Sequence, residues 1–220
     1  NSAFGHYALT ANTTGANNSA FGYNALLANT TGTGNVAVGY AALDAVTTTS
    51  GHTAVGYNAL SATTDTGNTA VGYNACRDTT GGAYNVAVGH EALLLNTSGV
   101  YNVAVGNGSL DANTTGGNNT AVGRLALSAN QTASNNVAVG SSALLVSTNN
   151  DASAADISHS IVIGANNITD KGSSTGFIAA GSGANYAGNN SASWSTTSDR
   201  RIKKDIKQSE KGLKEINQIV

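Results

Sequence analysis

The chain lacks proline and methionine, has one cysteine, and only 5% of its 220 residues are aromatic. Together with 27 glycines, this composition does not describe an ordinary globular core. The single cysteine, Cys76, excludes an intrachain disulfide framework. No hydrophobic run approaches the length of a membrane span, so we expect no membrane insertion. The missing methionine and a first residue inside a repeat predict that the chain is a piece of a longer polypeptide.

Charged residues are also scarce, at 10% of the chain, and they are unevenly placed. From Ser198 onward seven Lys or Arg stand against four acids, which makes that segment +3 and, from the net charge of −2, leaves −5 for the rest. The remainder is a nearly uncharged Ser/Thr/Asn surface with scattered acids. It offers no basic patch for nucleic acid or for an anionic membrane.

What the chain does have is a repeat. An Ala-(Val/Phe)-Gly triplet recurs at a constant step of 17 in the numbering, with one step of 16. Its glycines are Gly5, Gly22, Gly39, Gly56, Gly72, Gly89, Gly106, Gly123 and Gly140. Such self-similarity at a fixed period is the signature of a repeat architecture and excludes the disorder that the composition alone would suggest.

Each repeat reads Asn, a small or β-branched residue, Ala, Val or Phe, Gly, two variable residues, Ala and Leu, followed by eight mostly polar residues. The alternation before each glycine, as in Val103-Ala104-Val105, predicts a short strand. A glycine in mid-repeat and an Asn-Thr-Thr-Gly turn argue against a two-helix unit. We therefore predict an all-β chain, a parallel β-solenoid of about 17-residue repeats, with asparagine side chains bonding along the stack.

The repeat also predicts which side chains are buried. We expect Val or Phe and the recurring Leu to form columns inside the coil, with the small Ala facing outward. Cys76 takes the Leu position and is expected to act as a small core hydrophobe. Two or three medium hydrophobic residues per repeat make a thin core, which favours lateral association of several chains.

The pattern changes after Leu144. Ile161-Val162-Ile163-Gly164 is predicted to be a tenth triplet, and it follows the ninth by more than one ordinary repeat, which implies an insertion. Residues 165–197 are rich in Ala, Gly, Ser and Asn and are interpreted as a transition segment with a possible strand at 176–180. In residues 198–220, apolar residues recur in steps of four and three, which predicts a short C-terminal helix or coiled coil.

Units such as Asn68-Thr69-Ala70-Val71-Gly72-Tyr73-Asn74-Ala75 resemble the head repeats of trimeric autotransporter adhesins and the related repeats of phage tail fibres. The resemblance covers residues 1–164. It implies a left-handed parallel β-roll that is homotrimeric, in agreement with the lateral association expected from the thin core. The adhesin repeats are usually shorter than the repeats of this chain.

The segment Ser198-Asp199-Arg200-Arg201-Ile202-Lys203-Lys204-Asp205-Ile206 resembles the opening of the intramolecular chaperone domain at the C-terminus of phage tailspikes and tail fibres. In that family a serine cuts the chain immediately before itself, and a lysine five positions later acts as base. The resemblance implies Ser198 and Lys203 in these roles, with cleavage after Thr197. A lysine with a depressed pKa can deprotonate a hydroxyl, so the chemistry is reasonable.

Tyrosines follow the glycine in four consecutive repeats: Tyr23, Tyr40, Tyr57 and Tyr73. Exposed, they would bind glycan by stacking on sugar faces; alternatively, they cover a groove between subunits or rungs. The four histidines, His6, His52, His90 and His159, lack metal-ligand spacing. Gly181-Ser182-Gly183 opens no strand-to-helix unit and is therefore not a phosphate-binding loop. Neither a metal nor any cofactor is predicted.

The leading hypothesis is the structural shaft of a phage tail fibre in the virion, mediating host attachment through a surface glycan or protein receptor. The alternative is the head of a trimeric adhesin on the bacterial cell surface. A third hypothesis is a self-cleaving maturation protease formed by the C-terminal domain, and a fourth is an ice-binding solenoid. The chain is not otherwise expected to be an enzyme.

Overall fold

A computed structural model describes residues 1–144 and 158–164, together with the backbone of three short strands between residues 176 and 196. One 13-stranded sheet runs through these parts, with its strands in chain order. The first ten strands have three residues each. They are β1 Ser2–Phe4, β2 Ser19–Phe21, β3 Val36–Val38, β4 Thr53–Val55, β5 Thr69–Val71, β6 Val86–Val88, β7 Val103–Val105, β8 Thr120–Val122, β9 Val137–Val139 and β10 Ile161–Ile163.

Strands β1 to β10 pair in parallel, each with the corresponding strand of the next repeat. Alanine lies beside alanine throughout β1 to β9, from Ala3 beside Ala20 to Ala121 beside Ala138. Each repeat is therefore one coil of a parallel β-solenoid, here called a rung, and rungs are numbered from rung 1 at Asn1. The predicted all-β solenoid with its constant repeat spacing is confirmed. Neighbouring rungs are separated by about 4.8 Å, the usual distance between paired strands.

The one shorter step falls between rung 4 and rung 5. Ala54 pairs with Ala70 in unchanged register, so the missing residue does not shift the strands. Rung 4 has five residues from Thr63 to its end at Gly67, where rung 2 has six from Asn29 to Gly34. The shortening is confined to this turn, as expected from the position of the deletion.

The interior is built from alanine and leucine. The central alanine of each strand from β2 to β9 is fully buried, as are most residues of the leucine column. The leucine column consists of Leu9, Leu26, Leu43, Leu60, Cys76, Leu93, Leu110, Leu127 and Leu144. The buried leucine column and Cys76 as part of the core are confirmed.

The predicted orientation of the strands was wrong. Val or Phe faces outward and Ala faces inward: Ala104 is fully buried, whereas its neighbours Val103 and Val105 are only partly covered. The coil is narrow, and the leucine column already fills most of the space opposite the strand. In β1 to β9 a small alanine therefore takes the inward position and the larger side chains point away from the axis, while β10 has Val162 inward.

The leucine column has an unusual backbone conformation. All nine of its residues lie in the left-handed region, with φ between 51° and 55°. This region is uncommon for residues other than glycine and asparagine. Because the same conformation recurs in every rung and these side chains are buried in the core, packing holds the backbone there.

Two columns of polar side chains run inside the coil. The strand-side column precedes the strands and consists of Asn1, Asn18, Asn35, His52, Asn68, Asn85, Asn102, Asn119, Asn136 and Ser160. The Oδ1 atom of Asn102 accepts a hydrogen bond from the backbone N–H of Asn119 in the next rung at 3.0 Å, and its Nδ2 donates to the carbonyl of Gly116 at 2.9 Å. The predicted bonding along the stack is confirmed, and it satisfies backbone groups that water cannot reach.

The second column, the turn-side column, lies beside the first, since Asn102 and Asn113 both donate to the carbonyl of Gly116, at 2.9 and 3.0 Å. Its members are Asn12, Asn29, Val46, Thr63, Thr79, Asn96, Asn113 and Asn130. Where asparagines are consecutive, each side chain donates to the one before it, as Asn113 does to Asn96 at 2.8 Å. Asparagine is absent from this column in rungs 3 to 5, which also contain His52 and the shortened turn. We call residues 35–84 the interrupted rungs and residues 85–135 the complete rungs.

The tenth triplet is confirmed, since β10 pairs with β9 in parallel although the chain between them is longer than one ordinary repeat. The expected strand at 176–180 is also present: β11, Gly176–Ala180, pairs in parallel with β10. Two antiparallel strands complete the sheet, β12 Gly183–Ala187 and β13 Ser195–Thr196. The insertion after Leu144, most of the transition segment and the predicted C-terminal helix lie outside the described residues.

Candidate binding face

The outward residues of strands β1 to β10 form a largely apolar surface, here called the outer face. Its third-residue column is Phe4, Phe21, Val38, Val55, Val71, Val88, Val105, Val122, Val139 and Ile163. Several of these side chains are nearly 40% exposed, and Phe4 at the open end of the stack is 77% exposed. A continuous apolar stripe along a whole coil is rare on monomeric proteins and typically marks an interaction surface.

The outer face carries almost no charge. Between residues 1 and 144 the sequence has only Arg77 and Arg124 against five acids, and none of these seven residues is in a strand. Arg77 and Asp78 form a two-point ion pair with N–O distances of 2.7 Å, both about one third exposed. An exposed pair of this kind contributes little to stability. The outer face therefore offers shape and apolar contact, and almost no charge, for recognition.

Tyr23, Tyr40, Tyr57 and Tyr73 lie in one row. Neighbouring rings are stacked with centroids 5.0 to 5.4 Å apart and interplanar angles of 4° to 11°. His6 stacks on the first tyrosine and His90 on the last, at 5.2 and 5.0 Å. We call these six residues the tyrosine row. The repeat spacing of the sequence is sufficient to bring its four tyrosines together.

The stacking limits what the row can bind. Each tyrosine turns its ring faces towards its neighbours and is 44–47% exposed. A sugar would therefore meet ring edges and hydroxyl groups within the row, and open ring faces only where stacking ends. Glycan binding by these four tyrosines remains a prediction.

A stacked aromatic pair outside the tyrosine row was not predicted from the sequence. Tyr84 and Tyr101 are stacked at 5.5 Å and are 54% and 56% exposed. Both have positive φ, 57° and 58°, at the rung position where other rungs have Gly or Asn, such as Gly34 and Asn118. Their placement one repeat apart, each directly before a column asparagine, is a signal in the sequence that could have identified them.

His52 lies inside the coil, where the other histidines do not. It is fully buried in the strand-side column, and its Nδ1 accepts the backbone N–H of Asn68 at 3.3 Å. Its Nε2 lies 3.2 Å from the hydroxyl of Thr49. Burial lowers the pKa of His52 to about 4, although hydrogen bonds to the backbone of Asn68 and Asp65 and the charge of Asp65 act in the opposite direction.

Cys76 is unsuited to nucleophilic chemistry. It is fully buried in the leucine column, and burial raises the pKa of its thiol to about 12. A hydrogen bond with Thr79 lowers that pKa only in part. At neutral pH the group remains a thiol, which is neither a good nucleophile nor a good metal ligand.

The turn threonines are partly engaged in structure. The hydroxyl groups of Thr13, Thr30 and Thr97 donate to carbonyl groups of the next rung at 2.9 to 3.0 Å. These hydroxyls help hold the turns together. Their hydroxyl hydrogens are therefore not available to water, which is unfavourable for an ice-binding surface at these positions.

Ser198 and Lys203, the residues of the expected self-cleavage, lie outside the described residues. Within the residues that the structure does describe, no cluster of His, Cys, Asp and Glu has the size and spacing of a metal site. The same residues include no helix that is long and apolar enough to cross a bilayer. Comparisons with protein-family models, curated proteins and solved structures gave no match to this chain.

Proposed function

We propose that the chain forms the shaft of a homotrimeric attachment fibre, a phage tail fibre that presents receptor-binding parts to a host surface. The observation that carries this proposal is the outer face, an uncharged apolar stripe that continues through all ten rungs. Left exposed to water, such a stripe favours association. The resemblance of the repeats to trimeric β-rolls, left-handed in that family, supports the same assembly.

Copies of the same chain are the partner that fits this stripe best. The apolar side chains repeat about every 4.8 Å, and only a surface with the same repeat can meet each of them in the same way. A second copy lying parallel and in register has that repeat over the full length. A partner without it would leave successive rungs unevenly packed, at a cost in contacts.

The test is the mass of the native protein together with outer-face variants. We expect a trimer for the unchanged chain, and a folded monomer when Val71, Val88 and Val105 are all changed to Asp, because three buried carboxylates per chain would oppose assembly. The control places Asp at Thr31, Ser98 and Thr115, which are exposed in the turns, and should stay trimeric. A monomeric unchanged chain would contradict the trimer.

Attachment itself rests on the tyrosine row and on the resemblance. We propose that host glycan or protein is bound through exposed aromatic side chains of the shaft or through parts that the shaft carries. A bacterial surface adhesin with the same trimeric shaft is the second candidate, favoured by the same repeats. Glycan-array binding that is lost when Tyr40 and Tyr57 are changed to Ala would support contact through the row, and unchanged binding would exclude it.

The C-terminal segment contributes a separate proposal. By resemblance, residues 198–220 begin a chaperone domain that cuts the chain before Ser198, with Lys203 as base. In the full-length gene product, a denaturing gel should then show two fragments, and Ser198→Ala should leave one uncut chain. Cleavage after Thr197 in the Ser198→Ala protein would rule out this pair.

A further inference from the structure

The strand-side column changes chemistry at one rung. In rungs 2, 5, 6 and 7 an amide oxygen of asparagine accepts the backbone N–H of the next rung at 2.8 to 3.0 Å. In rung 4 the acceptor is the Nδ1 atom of His52, at 3.3 Å from the nitrogen of Asn68. An amide oxygen cannot be protonated at ordinary pH, whereas an imidazole nitrogen can.

The hydrogen bonds fix the form of this imidazole. Nδ1 accepts a hydrogen bond, so it carries no proton, and the ring hydrogen is on Nε2, facing the hydroxyl oxygen of Thr49. Protonation would place a second N–H on Nδ1, directed at the N–H of Asn68. Two donors would then face each other in a buried site, and the hydrogen bond from the N–H of Asn68 to the ring, which links rungs 4 and 5, would be lost.

The surroundings of the ring offer little compensation for a positive charge. Rungs 3 and 5 pack on either side and present Thr49 and the backbone N–H of Asn68 to the ring, and the backbone of Asp65 also hydrogen-bonds it. The charged group acting on it is Asp65 in the shortened turn, and its influence is smaller than that of burial. Stability between these rungs is already reduced, because the turn-side column lacks asparagine throughout rungs 3 to 5.

We propose that His52 makes the junction of rungs 4 and 5 an acid-sensitive joint, at which the solenoid opens locally when the pH falls below about 6. The rungs on both sides stay closed, because their columns have no group that titrates in this range. This response to pH does not depend on the assembly proposed above. It operates in a single chain or in each chain of a trimer.

The direction of the effect follows from the two protonation equilibria. In the opened joint the imidazole has its ordinary pKa of 6.5, and in the closed joint its pKa is about 4. Between these values the opened state binds more protons, so lower pH favours opening. The effect is small above pH 7 and is complete only below about pH 3. At pH 5, opening should be about 30-fold more frequent than at pH 7.5.

Hydrogen exchange on the full chain tests the joint. Exchange rates of backbone amides, corrected for their intrinsic pH dependence, are compared at pH 7.5 and pH 5. We expect amides of residues 52–80 to lose protection about 30-fold at pH 5, while those of residues 102–135 do not change. In His52→Asn, which restores the column, the two regions should respond alike; His90→Asn, an exposed histidine, should behave as the unchanged chain.

Two results would overturn the proposal. One is equal sensitivity of residues 52–80 to pH in the unchanged chain and in His52→Asn. The other needs no variant: if the ring signals of His52 in the folded protein titrate near pH 6.5, the ordinary pKa of an imidazole, protonation does not oppose the closed joint. Ring signals of His52 that stay unchanged down to pH 5 would support the proposal.

Discussion

The interrupted rungs, residues 35–84, and the complete rungs, residues 85–135, share one backbone but differ inside it. Strand pairing continues in register through both. The complete rungs carry asparagine at each position of both polar columns, while the interrupted rungs have Val46, His52, Thr63 and Thr79 there. The buried Oδ1 of Asn29, which faces Val46 in the next rung, accordingly has no hydrogen-bond partner.

The backbone-shaping residues and the amide columns have separate roles. Alanine, glycine and leucine are common to both regions, so they set the course of the chain, and the amide columns are not needed for register. The columns instead supply hydrogen bonds between rungs, and these differ in number between the two regions. We therefore expect changes to the backbone positions to be equally severe in both regions, and changes to the columns to have different effects.

The largest expected effect is that of alanine at the strand-end glycines. A Cβ at Gly56 would lie 2.2 Å from the carbonyl oxygen of Gly72, and one at Gly106 would lie 2.5 Å from that of Gly123. Each change should cost at least about 4 kcal/mol or prevent folding, measured by urea unfolding. Gly34→Ala is the control: φ is 65°, nothing lies within 4 Å, and the cost should be about 1 kcal/mol.

A milder effect at Gly56 than at Gly106 would show that the interrupted rungs also have a looser backbone. Stability losses as small as that of Gly34→Ala at both positions would contradict the close stacking altogether.

Next in size is the loss of a column asparagine. Asn102→Ala leaves the N–H of Asn119 buried without a partner and removes one of the two side-chain donors to the carbonyl of Gly116, which keeps its bond from Asn113. The change should cost about 2 kcal/mol. Thr63→Ala removes one long hydrogen bond from Asn68, 3.3 Å, and should cost about 1 kcal/mol. The exposed Asn107→Ala serves as control, with a change within about 0.5 kcal/mol. Equal losses for Asn102 and Thr63 in thermal or urea unfolding would remove the distinction between the regions.

A repair of the interrupted rungs should have a smaller, opposite effect. Val46→Asn places a donor beside the unpartnered Oδ1 of Asn29, and we expect a gain of about 1 kcal/mol in the free energy of unfolding. In an Asn29→Ala background the same change should give no gain, which a double-mutant cycle measures. An identical gain in both backgrounds would mean that Asn29 is not its source.

The smallest effect concerns local opening, reported by thiol labelling. Cys76 lies in the interrupted rungs, and a Cys76→Leu/Leu110→Cys variant moves the only thiol to the complete rungs. At pH 8 both thiols should be unreactive in the closed state, because burial shields them and raises the pKa of Cys76 to about 12. We expect several-fold faster labelling of Cys76 in native buffer, a difference of about 1 kcal/mol in opening. Slower labelling of Cys76 would reverse the ranking of the two regions.

Much of the fold could be predicted because the repeat fixes it. The recurrence of Ala-Val-Gly placed the strands and their register, and the recurring Leu placed one wall of the core. Whether Val or Ala faces inward could not be predicted from size alone, because it depends on the width of the coil. That width is set by leucines in the left-handed conformation, which their residue type does not favour.

The candidate site, too, could be predicted from the sequence only in part. The tyrosine row could be predicted, since identical positions in successive rungs must be neighbours. The outer face was missed because its valines were assigned to the core. The significance of His52 was also hidden, because an exception in an asparagine column has meaning only once the column is known to be buried and hydrogen-bonded.

The spacing of the rungs has one more consequence. A whole repeat advances the chain by only about 4.8 Å, whereas the same stretch in an α-helix would advance it by about 25 Å. The architecture therefore gains little length per residue. Instead, each step along the axis displays several side chains at fixed positions around the coil, and each of these side chains can vary without disturbing its neighbours. A fibre built this way is suited to carrying recognition along its flanks as well as at its tip.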